Sequence, residues 1–174
     1  MKRRNWNAAA YLVCIACFAI AIWLTDPHQA YAQAPLTPIQ ITALNLALDA
    51  GEHWHDGIEL AAIVWAESSL CLHMHAIHSS AQGCAQLHPD TAAMIAGVPV
   101  SNWSLEHDWS LNMRIAAAFL RKCMDRFGYR GGIRCYRLGI PAASNPVWSN
   151  DDRHYVAKVL RHVWTIEHLP IDEN

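Results

Sequence analysis

The sequence predicts a single, mainly α-helical domain behind an N-terminal export segment. Apolar residues recur at helical spacing in several stretches, and capping residues flank most of them. No series of stretches alternates apolar and polar residues in the manner of strands. With 174 residues, the chain is long enough for about one domain with its own core. We therefore expect a helical bundle with, at most, a small β-hairpin or loop region.

The first residues have the features of a secretory signal. Basic residues at positions 2–4 precede the uncharged run 8–24, and the small-x-small sequence Ala-Tyr-Ala occupies 30–32. This order predicts a signal peptide over 1–32 and a mature domain over 33–174. Because the uncharged run falls short of the roughly 20 residues that span a bilayer, an uncleaved anchor remains only as the alternative. After cleavage we expect no stable membrane span.

The charge balance of the mature part argues against a nucleic-acid-binding protein. Without residues 2–4 the 13 basic residues fall to 10, and without Asp26 the 15 acidic residues fall to 14. The domain is therefore mildly acidic. Seven of the 10 basic residues lie between Arg114 and Arg137. They form either solvated helix faces or a patch for an anionic polymer.

Four cysteines remain after cleavage, and an even number favours two disulfides in an exported chain. Spacings of 13 and 12 residues favour the local pairs Cys71–Cys84 and Cys123–Cys135. A metal site is the alternative, for the cysteines or for the run His73, His75 and His78. Neither a C-x-x-C pair nor a His-Glu-x-x-His motif accompanies these residues, so we expect no metal.

Two helices are predicted before the cysteine-rich region. Thr37-Pro38-Ile39-Gln40 is a capping-box start with proline at the first helical position, and Gly51 ends this helix. A second helix covers about 58–69. Residues 72–90 lose helical periodicity and carry serine, glycine and proline, which indicates a loop or a short hairpin.

The second half of the domain is also predicted to be helical. A third helix covers about 89–96, and a fourth covers 111–127 and ends at Gly128. A short helix is expected over 131–138. The last helix begins at Asn150, and two aspartates in its first turn suit the helix dipole.

Glu67 is the residue that the local pattern makes unusual. It follows Leu60, Ile63 and Val64 at helical spacing, so a carboxylate lies on an apolar stripe at the C-terminal end of a helix. Both burial and the negative end of the helix dipole disfavour its ionised form. Such a group suits a general acid. The alternative is a helix-edge glutamate that arginine or backbone groups satisfy.

The surroundings of Glu67 resemble a known enzyme family. Glu-Ser ends a helix, and then follow a serine, a Gly-x-x-Gln segment and Pro-x-Thr-Ala. This order is similar to that of lytic transglycosylases of the soluble-lytic-transglycosylase type, which are related in fold to goose-type lysozyme. The residues on the pattern are Glu67, Ser68, Ser80, Gly83, Gln86, Pro89, Thr91 and Ala92.

Three later motifs extend the resemblance to about residues 53–160. They are Asn112-Met113 with Ala116 and Phe119-Leu120, then Tyr136-Arg137-Leu138-Gly139, and finally Tyr155-Val156-x-Lys158-Val159. Two positions depart from the family pattern. Ala85 stands where the family has methionine, and Arg137 stands where it has asparagine. These departures bear on the shape of the substrate cleft and on affinity, and they leave the acid in place.

The resemblance implies a mainly α (α+β lysozyme-like) fold around a substrate cleft, and a lyase that needs no cofactor. Glu67 would protonate the oxygen between N-acetylmuramic acid and N-acetylglucosamine in peptidoglycan. As a carboxylate it would then take the proton of the 6-hydroxyl, which closes a 1,6-anhydro ring without water. Most glycosidases use two carboxylates, whereas only Asp90 lies near Glu67 in the downstream motif.

Further positions are expected to bind or support the substrate. Ser68 and Ser69 either orient Glu67 or cap its helix, and Gln86 and Tyr136 either contact sugar or Glu67 or hold the loop to its helix. The matched motifs add Ser80, Asn112 and Tyr155. Four tryptophans offer stacking faces for sugar rings or belong to the core, namely Trp65, Trp103, Trp109 and Trp148.

Two other functions remain open at this point. One is a lysozyme-like hydrolase (a muramidase) that delivers water in place of the 6-hydroxyl. The other is a catalytically weak peptidoglycan-binding assembly module. By analogy with single-domain family members, we expect a periplasmic enzyme that opens the wall locally for a secretion, conjugation or pilus machine.

Overall fold

The computed structural model describes residues 35–74 and 79–169. The chain divides into two units, Met1–Pro35 and Leu36–Asn174, and every helix of the described residues belongs to the second unit. The predicted signal peptide, 1–32, lies outside the described residues. None of the helices described is long and apolar enough to cross a membrane.

Helices make up most of the described residues, which confirms the mainly α class. In chain order they are α1 (Pro38–Glu52), α2 (Gly57–Ser68), α3 (Pro89–Ala96), α4 (Asn102–His107), α5 (Trp109–Leu138), α6 (Ile140–Ala143) and α7 (Asn150–Glu167). The described part of the chain contains no strand; its β content is one isolated antiparallel bridge between Gln82 and Leu87. The sequence pattern does not predict the short helices α4 and α6.

Helix α2 packs against α1, α5 and α7 and supplies much of the core. Leu60, Ile63 and Val64 are completely buried, as the apolar stripe predicts. Burying a side chain of this kind contributes about 1.5–3 kcal/mol relative to leaving it in water. Contact with three other helices fixes α2, and Glu67 is the next residue on its stripe.

The first and last long helices begin with capping boxes. Thr37 Oγ1 accepts a hydrogen bond from Gln40 N, and Gln40 Oε1 accepts one from Thr37 N. Ser149 and Asp152 form the same reciprocal pair at the start of α7. Each box satisfies two of the backbone donors that a helix start leaves free, so both helices start at a defined residue.

Helix α5 changes direction at Gly128. In a straight helix Cys123 and Cys135 would be about 18 Å apart, whereas their Cα atoms are 5.6 Å apart and a disulfide joins the two residues. Gly128 has φ 70° and ψ −178°, a conformation essentially confined to glycine. The predicted helix end at Gly128 is confirmed as the corner between the two halves of α5, and the predicted short helix over 131–138 falls in the second half. The second half of α5 turns back along the first and carries Tyr136 and Arg137.

Arg134 connects the returning half of α5 to α7. Its Nε donates to the Asp152 carboxylate at 3.0 Å, and both partners are buried. Its two terminal nitrogens donate to the carbonyls of Ala143, Asn145 and Val147. One guanidinium thus holds the connection between α6 and α7 and sets the position of α7 against α5.

Replacing Gly128 by alanine should lower the free energy of unfolding by about 1–3 kcal/mol, because alanine is strained in this backbone conformation. No atom lies within 4 Å of the added methyl group, so the loss would come from the backbone alone. Urea unfolding measures it. Gly97→Ala is the matched control, since Gly97 also has open space around it but lies in the left-handed helical region. An equal or smaller loss at Gly128 than at Gly97 would contradict the prediction.

Candidate active site

The end of α2 is held by a left-handed turn that contains no glycine. Ser69, Leu70 and Cys71 all have positive φ values, of 55°, 57° and 66°. Such residues cost roughly 1–2 kcal/mol each, so other interactions must hold the turn. Ser69 N donates to Trp65 O at 3.0 Å, which ends the helix with an αL cap. The helix therefore ends at Ser68, one residue beyond Glu67.

Ser68 supports this turn from inside. Its hydroxyl donates to Val64 O at 3.1 Å and accepts a hydrogen bond from Cys71 N at 2.9 Å. The Cys71–Cys84 disulfide then ties the turn to the following loop. Ser68 and Ser69 thus close the helix, and neither side chain forms a hydrogen bond to Glu67 among the described contacts.

The loop around Gly83 is held against α5 by Asn112, which is fully buried. Asn112 Oδ1 accepts from Ala85 N at 2.8 Å, and its Nδ2 donates to Gln82 O at 3.1 Å. Gly83 has φ 75°, and a Cβ atom there would lie 2.1 Å from Leu105 O. Asn112 therefore supports the loop and does not line the cleft, and no other residue fits at Gly83 without displacing the backbone.

A cleft of about 470 Å³ opens between this loop and the second half of α5. Glu67 lies in its wall. Residues from the loop, from α3 and from α5 complete the lining, namely His73, Ser79, Ala81, Gln86, Leu87, His88, Thr91, Phe119, Tyr136, Arg137, Leu138 and Gly139. Glu67 is the one carboxylate among these described lining residues.

The surroundings of Glu67 favour its protonated form. Burial raises the pKa of Glu67 above its ordinary value, and the hydrogen bond from Tyr155 and the positive charges of Lys158 and Arg137 partly offset this effect. Tyr155 Oη donates to Glu67 Oε1 at 2.5 Å. The second carboxyl oxygen, Oε2, is then the atom that can carry the proton toward a ligand in the cleft.

Two tyrosines, the buried Tyr136 and the partly buried Tyr155, flank the carboxyl group. Burial and the nearby Glu67 raise the pKa of Tyr155 and of Tyr136 well above the ordinary value, so both stay protonated donors. Tyr136 Oη donates to Ala85 O at 2.8 Å and not to Glu67. Tyr136 therefore holds the loop to α5, whereas Tyr155 holds Glu67.

The structure brings Gln86 and Tyr136 to the cleft with Glu67, and it places Ser80 elsewhere. Gln86 has a left-handed backbone, with φ 49°, and its Nε2 donates to Met74 O and Gly83 O. Its amide therefore braces the loop. Ser80 Oγ lies 3.0 Å from Nδ1 of His88. His88 lines the cleft, whereas Ser80 does not.

The four tryptophans proposed as stacking faces lie outside the linings of the described cavities. Trp65 stacks on His162 with ring centroids 4.9 Å apart, and Trp103 stacks on His107. Trp148 contacts the Arg134 guanidinium, and Trp109 packs against the core. The apolar wall of the main cleft comes instead from residues such as Leu87 and Phe119.

The histidine run reaches the cleft through His73, whereas His75 and His78 lie outside the described residues. No group of three or more histidine, cysteine, aspartate or glutamate side chains within 35–74 and 79–169 could hold a metal ion. Asp90 is the one carboxylate that follows Glu67 in the downstream Pro-x-Thr-Ala motif. It is exposed and lies outside the cleft lining.

Sequence reasoning missed a second concavity on the other side of Glu67. It measures about 370 Å³ and shares Glu67 and Arg137 with the main cleft. Lys158 lines it and donates from Nζ to Ala66 O at 2.6 Å. Lys158 stands in the matched Tyr-Val-x-Lys-Val motif, so a signal was present. For Arg137 the sequence shows only a departure from the family pattern.

Comparison of the chain with protein-family models, with curated proteins and with solved structures gives no match in any of the three. Function is therefore inferred from the residues and their geometry.

Replacing Tyr155 by phenylalanine should raise the pKa of Glu67. The hydrogen bond from Tyr155 lowers that pKa, so its removal leaves burial less opposed. A ¹³C NMR titration of the Glu67 carboxyl carbon measures the shift directly, without any substrate. Tyr136→Phe is the matched control, because its hydroxyl bonds Ala85 O; its effect on the pKa should be smaller. An unchanged or lowered pKa in Tyr155→Phe would show that the bond does not govern the carboxyl group.

Proposed function

We propose that this protein is a lytic transglycosylase that cleaves the β-1,4 bond between N-acetylmuramic acid and N-acetylglucosamine in peptidoglycan. The observation that carries the proposal is a single carboxyl group with a raised pKa in the wall of a cleft. The motif order around Glu67, Gln86, Tyr136 and Tyr155 supports it. The proposed fold is the lysozyme-like one, with the loop 79–88 in the place of a β-hairpin.

A single acid suits a reaction in which the substrate provides its own nucleophile. Two-carboxylate glycosidases need a second group either about 5–5.5 Å or about 6.5–9.5 Å from the first. The main cleft offers none among its described lining residues. A sugar that closes a ring onto itself needs only one group, which first gives a proton and then takes one.

The proposed reaction follows from the two oxygens of Glu67. Protonated Oε2 gives its proton to the glycosidic oxygen as the bond from C1 of the muramyl residue breaks, and the muramyl N-acetyl group stabilises the positive centre. The carboxylate then removes the proton of the 6-hydroxyl, whose oxygen forms the new bond to C1. The products are a 1,6-anhydromuramyl end and a free 4-hydroxyl on the next sugar. Water and metal take no part.

Tyr155 has a defined role in this cycle. Its hydrogen bond to Oε1 becomes charge-assisted when Glu67 gives up its proton, and such bonds are roughly twice as strong as neutral ones. Tyr155 therefore stabilises the carboxylate that forms during proton donation. The high pKa of Tyr155 keeps it a donor throughout.

The two disulfides are typical of a protein that folds outside the cytoplasm. We place the enzyme in the periplasm, where its substrate is found, and infer that it opens the wall locally for a secretion, conjugation or pilus machine. A muramidase or a binding module with weak catalysis would use the same cleft, and the products distinguish them.

Glu67→Gln should lower the rate of peptidoglycan cleavage by about 10²-fold or more, since general acid–base catalysis contributes 10²–10⁴-fold. Turbidity clearing of purified peptidoglycan and the yield of released muropeptides measure the loss. Asp90→Asn is the matched control, because Asp90 is exposed outside the cleft, and it should keep the wild-type rate. Wild-type turnover in Glu67→Gln would remove Glu67 from the reaction.

The same variant provides a check on folding. Because burial raises the pKa of Glu67 in the folded state, ionisation of this group at neutral pH destabilises the fold relative to an uncharged side chain. The Gln variant should therefore unfold at or above the wild-type temperature at pH 7. A loss of activity with a lower melting temperature would point to misfolding instead.

A further inference from the structure

The second concavity holds two cations that no ion pair neutralises. It is lined by Glu67 and Ala66 at the end of α2, by Arg137 near the end of α5, and by four residues of α7, namely Asp151, His154, Tyr155 and Lys158. None of the ion pairs between described residues includes Arg137 or Lys158. Both side chains are exposed, so their charges are accessible to a ligand.

Both cations are nevertheless held in place by neutral groups. Arg137 donates from one terminal nitrogen to Asp151 O at 2.7 Å, and its guanidinium lies 5.3 Å from the centre of the Tyr155 ring. Lys158 donates to Ala66 O at 2.6 Å. Carbonyl and ring contacts fix a cation without cancelling its charge. The remaining donors of Arg137 form no hydrogen bond to the described residues.

Two of the other anchored arginines differ in this respect. Arg134 is paired with Asp152, and Arg121 is paired with Asp56 and Asp125. In those cases a carboxylate of the chain accepts from the guanidinium. At the second concavity the described part of the chain holds a guanidinium and an ammonium through neutral groups, so that a carboxylate partner can come from a ligand.

We infer that the second concavity is a subsite for a carboxylate carried by the muramyl residue of the bound strand. The inference rests on the proposed function, which puts the scissile bond at Glu67. Because Glu67 and Arg137 border both cavities, a substituent of the sugar above Glu67 can enter the second one. Planar guanidinium matches a carboxylate, and the lysine adds a point charge.

The charges around the subsite define what it accepts. Glu67 is neutral when it acts as an acid, so the site then has two fixed positive charges against the Asp151 carboxylate. Peptide stems end and branch in carboxylates, and a strand without stems exposes the lactyl carboxylate of muramic acid itself. A neutral chitin chain offers neither.

The test compares three forms of the same glycan strands: strands with intact stems, strands whose carboxylates have been chemically amidated, and strands with the stems removed. KM is measured for the wild type and for Arg137→Gln and Lys158→Gln. Wild-type KM should be lower for carboxylate-bearing than for amidated strands, and each variant should lose roughly fivefold of that preference. Lys122→Gln, which removes an exposed cation of α5 outside both cavities, should keep it.

Asp151→Asn should change KM in the opposite direction to the two Gln variants. It therefore distinguishes a charge effect from a general loss of function. The backbone carbonyl that holds Arg137 remains, while a repelling charge is removed, and KM for intact strands should fall. Stripped strands that behave like intact ones show that the lactyl carboxylate can replace the stem carboxylates in the subsite, whereas stripped strands that behave like amidated ones show that only the stem carboxylates are accepted.

Equal KM for intact and amidated strands in the wild type would overturn the subsite, as would an equal rise for both in the Gln variants. Binding of the same strands to Glu67→Gln, measured by co-sedimentation, gives the preference without turnover. A carboxylate preference in binding with no cleavage by the wild type would keep the subsite and overturn the proposed activity. Cleavage by the wild type without a preference for carboxylate-bearing strands would keep the proposed activity and overturn the subsite.

Discussion

The hydrogen bond from Tyr155 to Glu67 joins α7 to the end of α2, and it holds the one carboxyl group among the described residues that line the main cleft. A carboxyl group at the C-terminal end of a buried helix is disfavoured as an anion by desolvation and by the helix dipole. A donor that stays protonated supports both protonation states, weakly as the acid and more strongly as the carboxylate. With Oε1 held in this way, Oε2 is left to exchange a proton with a ligand.

The rest of the domain fixes the two ends of this bond. Glu67 is set by the buried stripe of α2 and by the left-handed turn after Ser68. Tyr155 is set by α7, which Arg134 fastens to α5 through Asp152. The corner at Gly128 then returns α5 to the cleft. As a result Tyr136 contacts the loop at Ala85 and Arg137 contacts the start of α7 at Asp151, both near Glu67. Strained, non-glycine left-handed residues at 69–71 and at Gln86 surround the site, where such strain is most often found.

Local patterns in the sequence predicted the elements that depend on local physics. The capping box at Thr37, the apolar stripe that ends at Glu67 and the break at Gly128 all depend on neighbours within a few residues. The pairs Cys71–Cys84 and Cys123–Cys135 follow from short spacings in an exported chain. The sequence does not predict α4 and α6, because six and four residues are too few to show helical periodicity.

The interactions that make the site were beyond such reasoning. Tyr155 and Glu67 are 88 residues apart, and no local pattern pairs them. The turn at 69–71 lacks the glycine, asparagine or proline that would mark it. Arg137 is held in place by Asp151 O and by the Tyr155 ring. These residues lie on another helix and come close to Arg137 only in the folded chain.

The most direct measurement is the mass of the muropeptides that the wild-type protein releases from purified peptidoglycan. If the Glu67 carboxylate takes its proton from the 6-hydroxyl and not from water, the products end in 1,6-anhydromuramic acid and are lighter by one water than hydrolytic products. We expect these anhydro products to predominate from the earliest time points. Products with a free reducing end, or binding to the wall without release of any muropeptide, would contradict the proposed reaction.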